Sequence, residues 1–290
     1  MASDTASDFI PRRVAILGVG LLGGSVARAL RRHQIDVVGY SRTPETRAMA
    51  LQQGVVTEAY ASLADACEGC DVVVVASPVD RIADMVLQAA PFIDDGALIT
   101  DVGSTKALIV HSVAKDQRAA EKFVAAHPIA GSEKTGVEHS RSDLFDNKMI
   151  VITPGPSNSA ERLLRCEQFW RLTGGQTVRM TPAIHDQQLA AISHVPHLIS
   201  SLLACLPAEE ALPLVGSGWS DMTRVASGDP TMWTAICQHN SQAIVDQIGT
   251  VIAQLQSVQQ MVAASDQQAL HDWLAAAKSR KDRTQSSETR

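Results

Sequence analysis

The chain has 290 residues, 45% of them hydrophobic and 19% charged, with a net charge of −6. That apolar share supports a packed core, the length suggests about two domains, and the charge balance excludes an electrostatically driven nucleic-acid binder. No apolar run approaches the roughly 20 residues that cross a bilayer, and the first nine residues lack the positive region of a signal peptide, so no membrane association is expected.

Val14, Ala15, Ile16 and Leu17 form an apolar run that stops at glycines, the pattern of a buried parallel strand. Residues 21–32 then carry helical periodicity, and 37–40 supply the next strand. Further strands are predicted at 72–76, 97–100, 123–126, 149–153 and 177–180, with a helix over 160–172. Strands alternating with helices of about 10–15 residues predict a parallel, doubly wound α/β sheet. After Pro182 the pattern changes, and no strand run is evident over 183–277. Five irregularly spaced cysteines fit a reducing cytoplasm better than a disulfide framework. Cys67 and Cys70 make a lone C-x-x-C beside a buried strand, where a structural role is expected.

Gly18-Val19-Gly20-Leu21-Leu22-Gly23 follows the first strand and opens a helix. In that setting the first glycine permits a tight turn, the second admits a pyrophosphate, and the third allows close helix–strand packing. Gly18, Gly20, Leu22 and Gly23 are therefore expected at a dinucleotide, together with Ser77 at the end of a later strand. The second strand ends in Tyr40-Ser41-Arg42-Thr43, with no carboxylate to repel a 2′-phosphate. Arg42 offers a guanidinium to hold that phosphate, and Ser41 and Thr43 offer hydroxyls, so NADP is expected ahead of NAD. A solvated Arg42 stacked on adenine is the alternative, and it leaves NAD acceptable. Alternation and loop together predict a Rossmann-type domain over 10–181, an all-α domain over 182–277, and a disordered tail over 278–290. Ile244, Val245, Ile248, Val251, Ile252, Leu255 and Val258 form an apolar ridge in the helical part, which a symmetric partner would bury in a homodimer.

Four later segments carry candidate chemistry. Ser104 follows a strand at the carboxyl edge, as an N-cap or an active-site hydroxyl, while Lys106 reads as a surface lysine. His127 closes another strand at that edge, with Ser132 and Glu133 just beyond it. A neutral imidazole suits removal of a hydroxyl proton during hydride transfer. His194 and His197 lie three apart, close to one helix face unless Pro196 breaks its start. With His185 and Asp186 they could be imagined as metal ligands, but no Cys or Glu stands at convincing spacing and no metal is expected. Arg224, three residues after Asp221, is either half of a surface ion pair or a fork for a substrate carboxylate. Trp233 reads as core packing.

The order of the cofactor loop, His127-Pro128-Ile129-Ala130-Gly131, Ser193-His194-Val195-Pro196-His197 and Asp221-Met222-Thr223-Arg224 resembles the prephenate and arogenate dehydrogenases over about residues 13–273. The resemblance implies oxidative decarboxylation of a cyclohexadienol with hydride transfer to NAD(P)+, in tyrosine biosynthesis. It further implies that His127 is the catalytic histidine, that Ser104 assists it near the nicotinamide, and that His197 and Arg224 contact substrate. Ser132 stands where family members commonly have threonine, and Ser220 where some carry a lysine. Two other readings stay open. One is a different two-domain dehydrogenase or imine reductase, although the helical part has no lysine before Lys278. The other is a dinucleotide-sensing module without turnover.

Overall fold

The computed structural model describes residues 9–131 and 134–288. Five parallel strands, β1 (Arg13–Leu17), β2 (Asp36–Tyr40), β3 (Glu58–Tyr60), β4 (Val72–Val75) and β5 (Leu98–Asp101), lie in the order β3-β2-β1-β4-β5. All four valines of β4 are buried, as β-branched residues covered on both faces should be. The order reverses between β1 and β4, the switch point where open sheets of this kind bind ligands. Helices α1 (Leu21–Arg31), α2 (Pro44–Gln52), α3 (Leu63–Cys67), α4 (Val79–Ala89), α5 (Ala107–Val113) and α6 (Gln117–Lys122) connect and follow these strands. Strand β3 was not expected. Its three residues are only partly covered and form no apolar run.

A second sheet, β6 (Ala125–Pro128), β7 (Met149–Thr153) and β8 (Gln176–Arg179), continues from the first through the pairing of Ile99 with Phe123. Here the all-parallel expectation is corrected, because β6 and β7 are antiparallel. A parallel return needs a crossover of a dozen or more residues, usually a helix. Among the described residues between β6 and β7 there is only the short 3-10 turn Val137–His139. Helix α7 (Ala160–Leu172) restores the crossover, so β7 and β8 are parallel again.

The expected helical region opens with α8 (Pro182–Leu189), a π-turn (Ala190–His194) and α9 (Val195–Cys205). Pro196 does not break this run. The wider π-turn ahead of it absorbs the proline's missing N–H and its clash with the preceding turn. The continuous stretch Pro182–Cys205 is long and apolar enough to cross a membrane by length and composition, more than the sequence reading credited. Its polar face, however, is bonded within the protein: Asp186 accepts from the Lys106 and Ala107 N–H groups. Helices α10 (Ser217–Thr223) and α11 (Pro230–His239) follow, the latter capped by Asp229.

By compactness the chain divides after Ser241, and α8 to α11 group with the sheets, where Asp186 and Ile236 are packed. The second unit holds most of α12 (Ser241–Ala263) and all of α13 (Gln267–Glu288). Along α12 Val245, Ile252 and Leu255 are exposed. The tail expected to be disordered instead continues α13 to Glu288. The alanines at 275–277 favour helix, and Lys278 pairs with Asp282 one turn on.

Lys106, expected at the surface, is completely buried. Its Nζ donates to Asp101 Oδ2 and, at 2.8 Å, to the Ala126 carbonyl. Asp101 in turn accepts from the Gly103 and Ala126 N–H groups, both at 2.9 Å. Burial pulls the Lys106 ammonium below the ordinary lysine value, while Asp101 opposes that shift. Lys106→Met keeps the side-chain volume but leaves Asp101 without its cation. Breaking a buried pair in this way costs about 3–5 kcal/mol, to be measured by urea denaturation. A loss below about 1 kcal/mol would show that the backbone donors alone satisfy Asp101.

Candidate active site

Each loop glycine answers a physical demand. Gly18 sits at φ +106°, and a Cβ there would lie 2.4 Å from the Ala76 carbonyl oxygen. A Cβ on Gly23 would lie 2.1 Å from the Gly18 oxygen and 2.9 Å from Ile16, so this glycine brings α1 against β1. Gly20 faces open space, and α1 begins after it with no side-chain cap and no acid in its first turn. These free N–H groups beside an uncrowded glycine are what a pyrophosphate requires. The Ser77 hydroxyl, beyond β4, is buried without a hydrogen-bond partner among the described residues. Leu22 instead packs on the core, so only its backbone faces this loop's task.

At the end of β2 Ser41 and Thr43 share a hydrogen bond of 3.1 Å, and Arg47 bonds the Ser41 carbonyl at 2.6 Å. Arg42 is exposed, and its guanidinium makes no ion pair among the described residues. The residues present therefore fit a dinucleotide, with a cation free where an adenine ribose would end.

Four histidines gather where β6 meets α8, the π-turn and α9. His127, in β6, is 9% exposed. Its Nδ1 meets His185 Nε2 at 2.8 Å, and His185 Nδ1 meets Asp186 Oδ1 at 2.7 Å. Asn240 donates to the Asp186 carbonyl at 2.7 Å and to His194 Nδ1 at 3.1 Å. His197 stacks on Trp233 with ring centroids 3.5 Å apart, and its Nδ1 has no hydrogen-bond partner among the described residues. Gly228 admits that stack, since a Cβ there would lie 2.4 Å from the Trp233 indole nitrogen. Burial holds the His127 imidazole well below the ordinary histidine value, with His185, Lys106 and His194 adding to the effect. Burial brings His194 down to about 4 and lowers His185, which Asp186 partly opposes. The cluster is neutral at pH 7.

Other expectations resolve differently. Ser104 is partly buried in the β5–α5 connection but is not the N-cap of α5, whose first N–H groups are taken by Asp186. Arg224 opens a 3-10 turn, is exposed, and does not pair with Asp221. Ser132 and Glu133 lie outside the described residues. No cluster of three metal-ligating side chains occurs among the described residues. Burial pushes the Cys67 and Cys70 thiols up to about 12 and about 11, in keeping with a structural role. His185, Asp186 and Trp233 were the residues the motifs undervalued. The available signal was a charged Asp186 within a largely apolar segment, because a buried carboxylate demands donors.

A glycine loop at the switch point, with a buried neutral histidine closing a strand at the same edge, defines a dinucleotide-dependent dehydrogenase. Residues 26–179 match the family described as prephenate dehydrogenase, nucleotide-binding domain, and 181–276 that described as prephenate dehydrogenase, dimerization domain. The prephenate dehydrogenase of Bacillus subtilis is 31% identical, over 93% of this chain and 75% of the relative. The structure of Aquifex aeolicus prephenate dehydrogenase with hydroxyphenyl propionate and NAD+ superposes with a TM-score of 0.87 at 29% identity, covering 94% of this chain and 98% of that one. Synechocystis arogenate dehydrogenase gives 0.83 at 27% identity, covering 94% and 99%. The chain belongs to the prephenate dehydrogenase family, and it is an NAD(P)-dependent oxidoreductase of tyrosine biosynthesis.

The buried histidines also set a pH dependence. Each has a folded pKa below its unfolded value near 6.5, so the unfolded chain binds more protons below that pH. Stability should be full above pH 6.5 and decline as pH falls toward 4, by about 1.4 kcal/mol per pH unit for each proton taken up. Denaturation at a series of pH values measures this, and a flat profile between 6.5 and 4.5 contradicts it.

Proposed function

We propose that this chain oxidises and decarboxylates prephenate, arogenate or both, with NADP+ preferred over NAD+, and that His127 is the base. The observation that carries this reading is His127 itself, buried, neutral and held at Nδ1 in β6, beside the strand that leads to Ser104. A bound nicotinamide supplies the acceptor for the hydride on the ring carbon that bears the hydroxyl. His127 takes the hydroxyl proton as the C=O forms, and Ser104 hydrogen-bonds the same oxygen. Loss of CO2 leaves its bonding electrons in the ring, which becomes aromatic, and His127 returns the proton to the phenolate. The protein's remaining work is orientation and charge neutralisation. Arg224, without an ion pair among the described residues, is the fork for a substrate carboxylate, and His197, its ring fixed by Trp233, lines the pocket with His194. Ser132 and Glu133 are assigned there by sequence alone.

The exposed Val245, Ile252 and Leu255 of α12 support a homodimer through the helical region, which sedimentation equilibrium tests against the 31.0 kDa of one chain. The NADP preference rests on Arg42 and on the lack of a carboxylate at the end of β2.

Assays of each substrate with each cofactor test the reaction, and absence of both reduced cofactor and CO2 from either substrate overturns it. His127→Asn should lower kcat by about 10²–10⁴-fold with KM nearly unchanged. Arg224→Ala should chiefly raise KM, by about 10- to 100-fold. The reverse pattern in the two variants would exchange the roles assigned to them. Arg42→Ala should weaken NADP+ by about 10- to 150-fold and NAD+ far less, as one charge-assisted contact is lost. Equal losses for both cofactors would make Arg42 a stacking or surface residue.

A further inference from the structure

The partners of His185 dictate more than its position. Asp186 Oδ1 accepts from the Lys106 N–H at 2.8 Å and faces His185 Nδ1 at 2.7 Å, and Oδ2 accepts from the Ala107 N–H at 2.8 Å. Both oxygens are occupied by donors, so the carboxylate is an anion and His185 Nδ1 must carry hydrogen. His185 is fully buried and neutral, which leaves its Nε2 with a lone pair. The atom 2.8 Å from that lone pair is His127 Nδ1, which must therefore be the donor. In neutral His127 the only nitrogen left bare is Nε2.

We infer that His185, anchored by Asp186, is a positioning residue that fixes His127 as the Nδ1–H tautomer and so makes Nε2 the proton acceptor. The inference rests on the reading of His127 as the base and extends it to the atom that performs the transfer. Without His185 both tautomers of His127 are populated and its ring is free to turn, so only part of the population presents a lone pair in the right place. The Asp186 carboxylate does not take the proton. It orients His185 and stabilises the positive charge that spreads over the two rings once His127 is protonated. The rest of the arrangement holds Asp186 still: Asn240 bonds its carbonyl, and the two N–H groups at the start of α5 fix its carboxylate.

The first test needs no turnover. Nitrogen-15 spectra of histidine-labelled protein near pH 7.5, with the His127 signals assigned by their loss in His127→Asn, should give a protonated Nδ1 and a bare Nε2. A bare Nδ1 overturns the inference whatever the enzyme's activity. Absence of turnover in the wild type would instead count against the proposed reaction. Two variants test the consequence. His185→Gln keeps an acceptor near the position of Nε2, whereas His185→Asn keeps a partner for Asp186 but withdraws the acceptor from His127. His185→Gln should retain kcat within about fivefold, and His185→Asn should lose about 10- to 100-fold with KM within about threefold, less than the full 10²–10⁴ of a removed base. Equal loss in both variants, or wild-type kcat in His185→Asn, overturns the assignment.

Discussion

The Asp101 carboxylate at the end of β5 is the point on which the site depends. It is fully buried, and it survives there because Lys106 and the N–H groups of Gly103 and Ala126 all point to it. The same contacts fix both sides of Ala126, whose N–H goes to Asp101 and whose carbonyl goes to Lys106. Ala126 directly precedes His127. The histidine's backbone is therefore set by a charge pair in the sheet rather than by the loop that follows it.

Asp186 makes the matching connection from α8. Its carboxylate holds the backbone of Lys106 and Ala107, and His185 beside it holds the His127 ring. Backbone and side chain of His127 are thus fixed from two directions, by the sheet and by α8, with Lys106 shared between them. The same burial that provides this rigidity keeps the imidazoles neutral. An imidazole that is neutral and immobile can accept a proton without first losing one and without reorganising.

Much of this was legible in the chain and some was not. The glycine loop and the strands around β1 and β4 announce themselves, because backbone demands at Gly18 and Gly23 leave no other residue possible and a buried parallel strand has to be apolar. His127 could be read because it closes such a strand. Lys106 could not, since a lysine at the start of a helix looks the same whether it reaches water or Asp101. Strand β3 escaped notice because three partly exposed residues carry no periodic signal. The antiparallel turn of β7 follows from a connection with no crossover helix among its described residues, and sequence periodicity does not report chain direction. His185 and Trp233 were undervalued for one reason: each acts through a neighbour distant in sequence, His127 in one case and His197 in the other.

The central claim is that a ring held from two sides presents one nitrogen to the substrate hydroxyl. A crystal structure of the complex with NADP+ and a hydroxyphenyl carboxylate analogue tests it most directly. The account predicts the phenol oxygen within hydrogen-bond distance, about 2.6–3.2 Å, of His127 Nε2, with the carboxylate on Arg224 and the His127–His185–Asp186 contacts retained. A phenol oxygen held away from His127, or a His127 ring turned from His185 on binding, would contradict it.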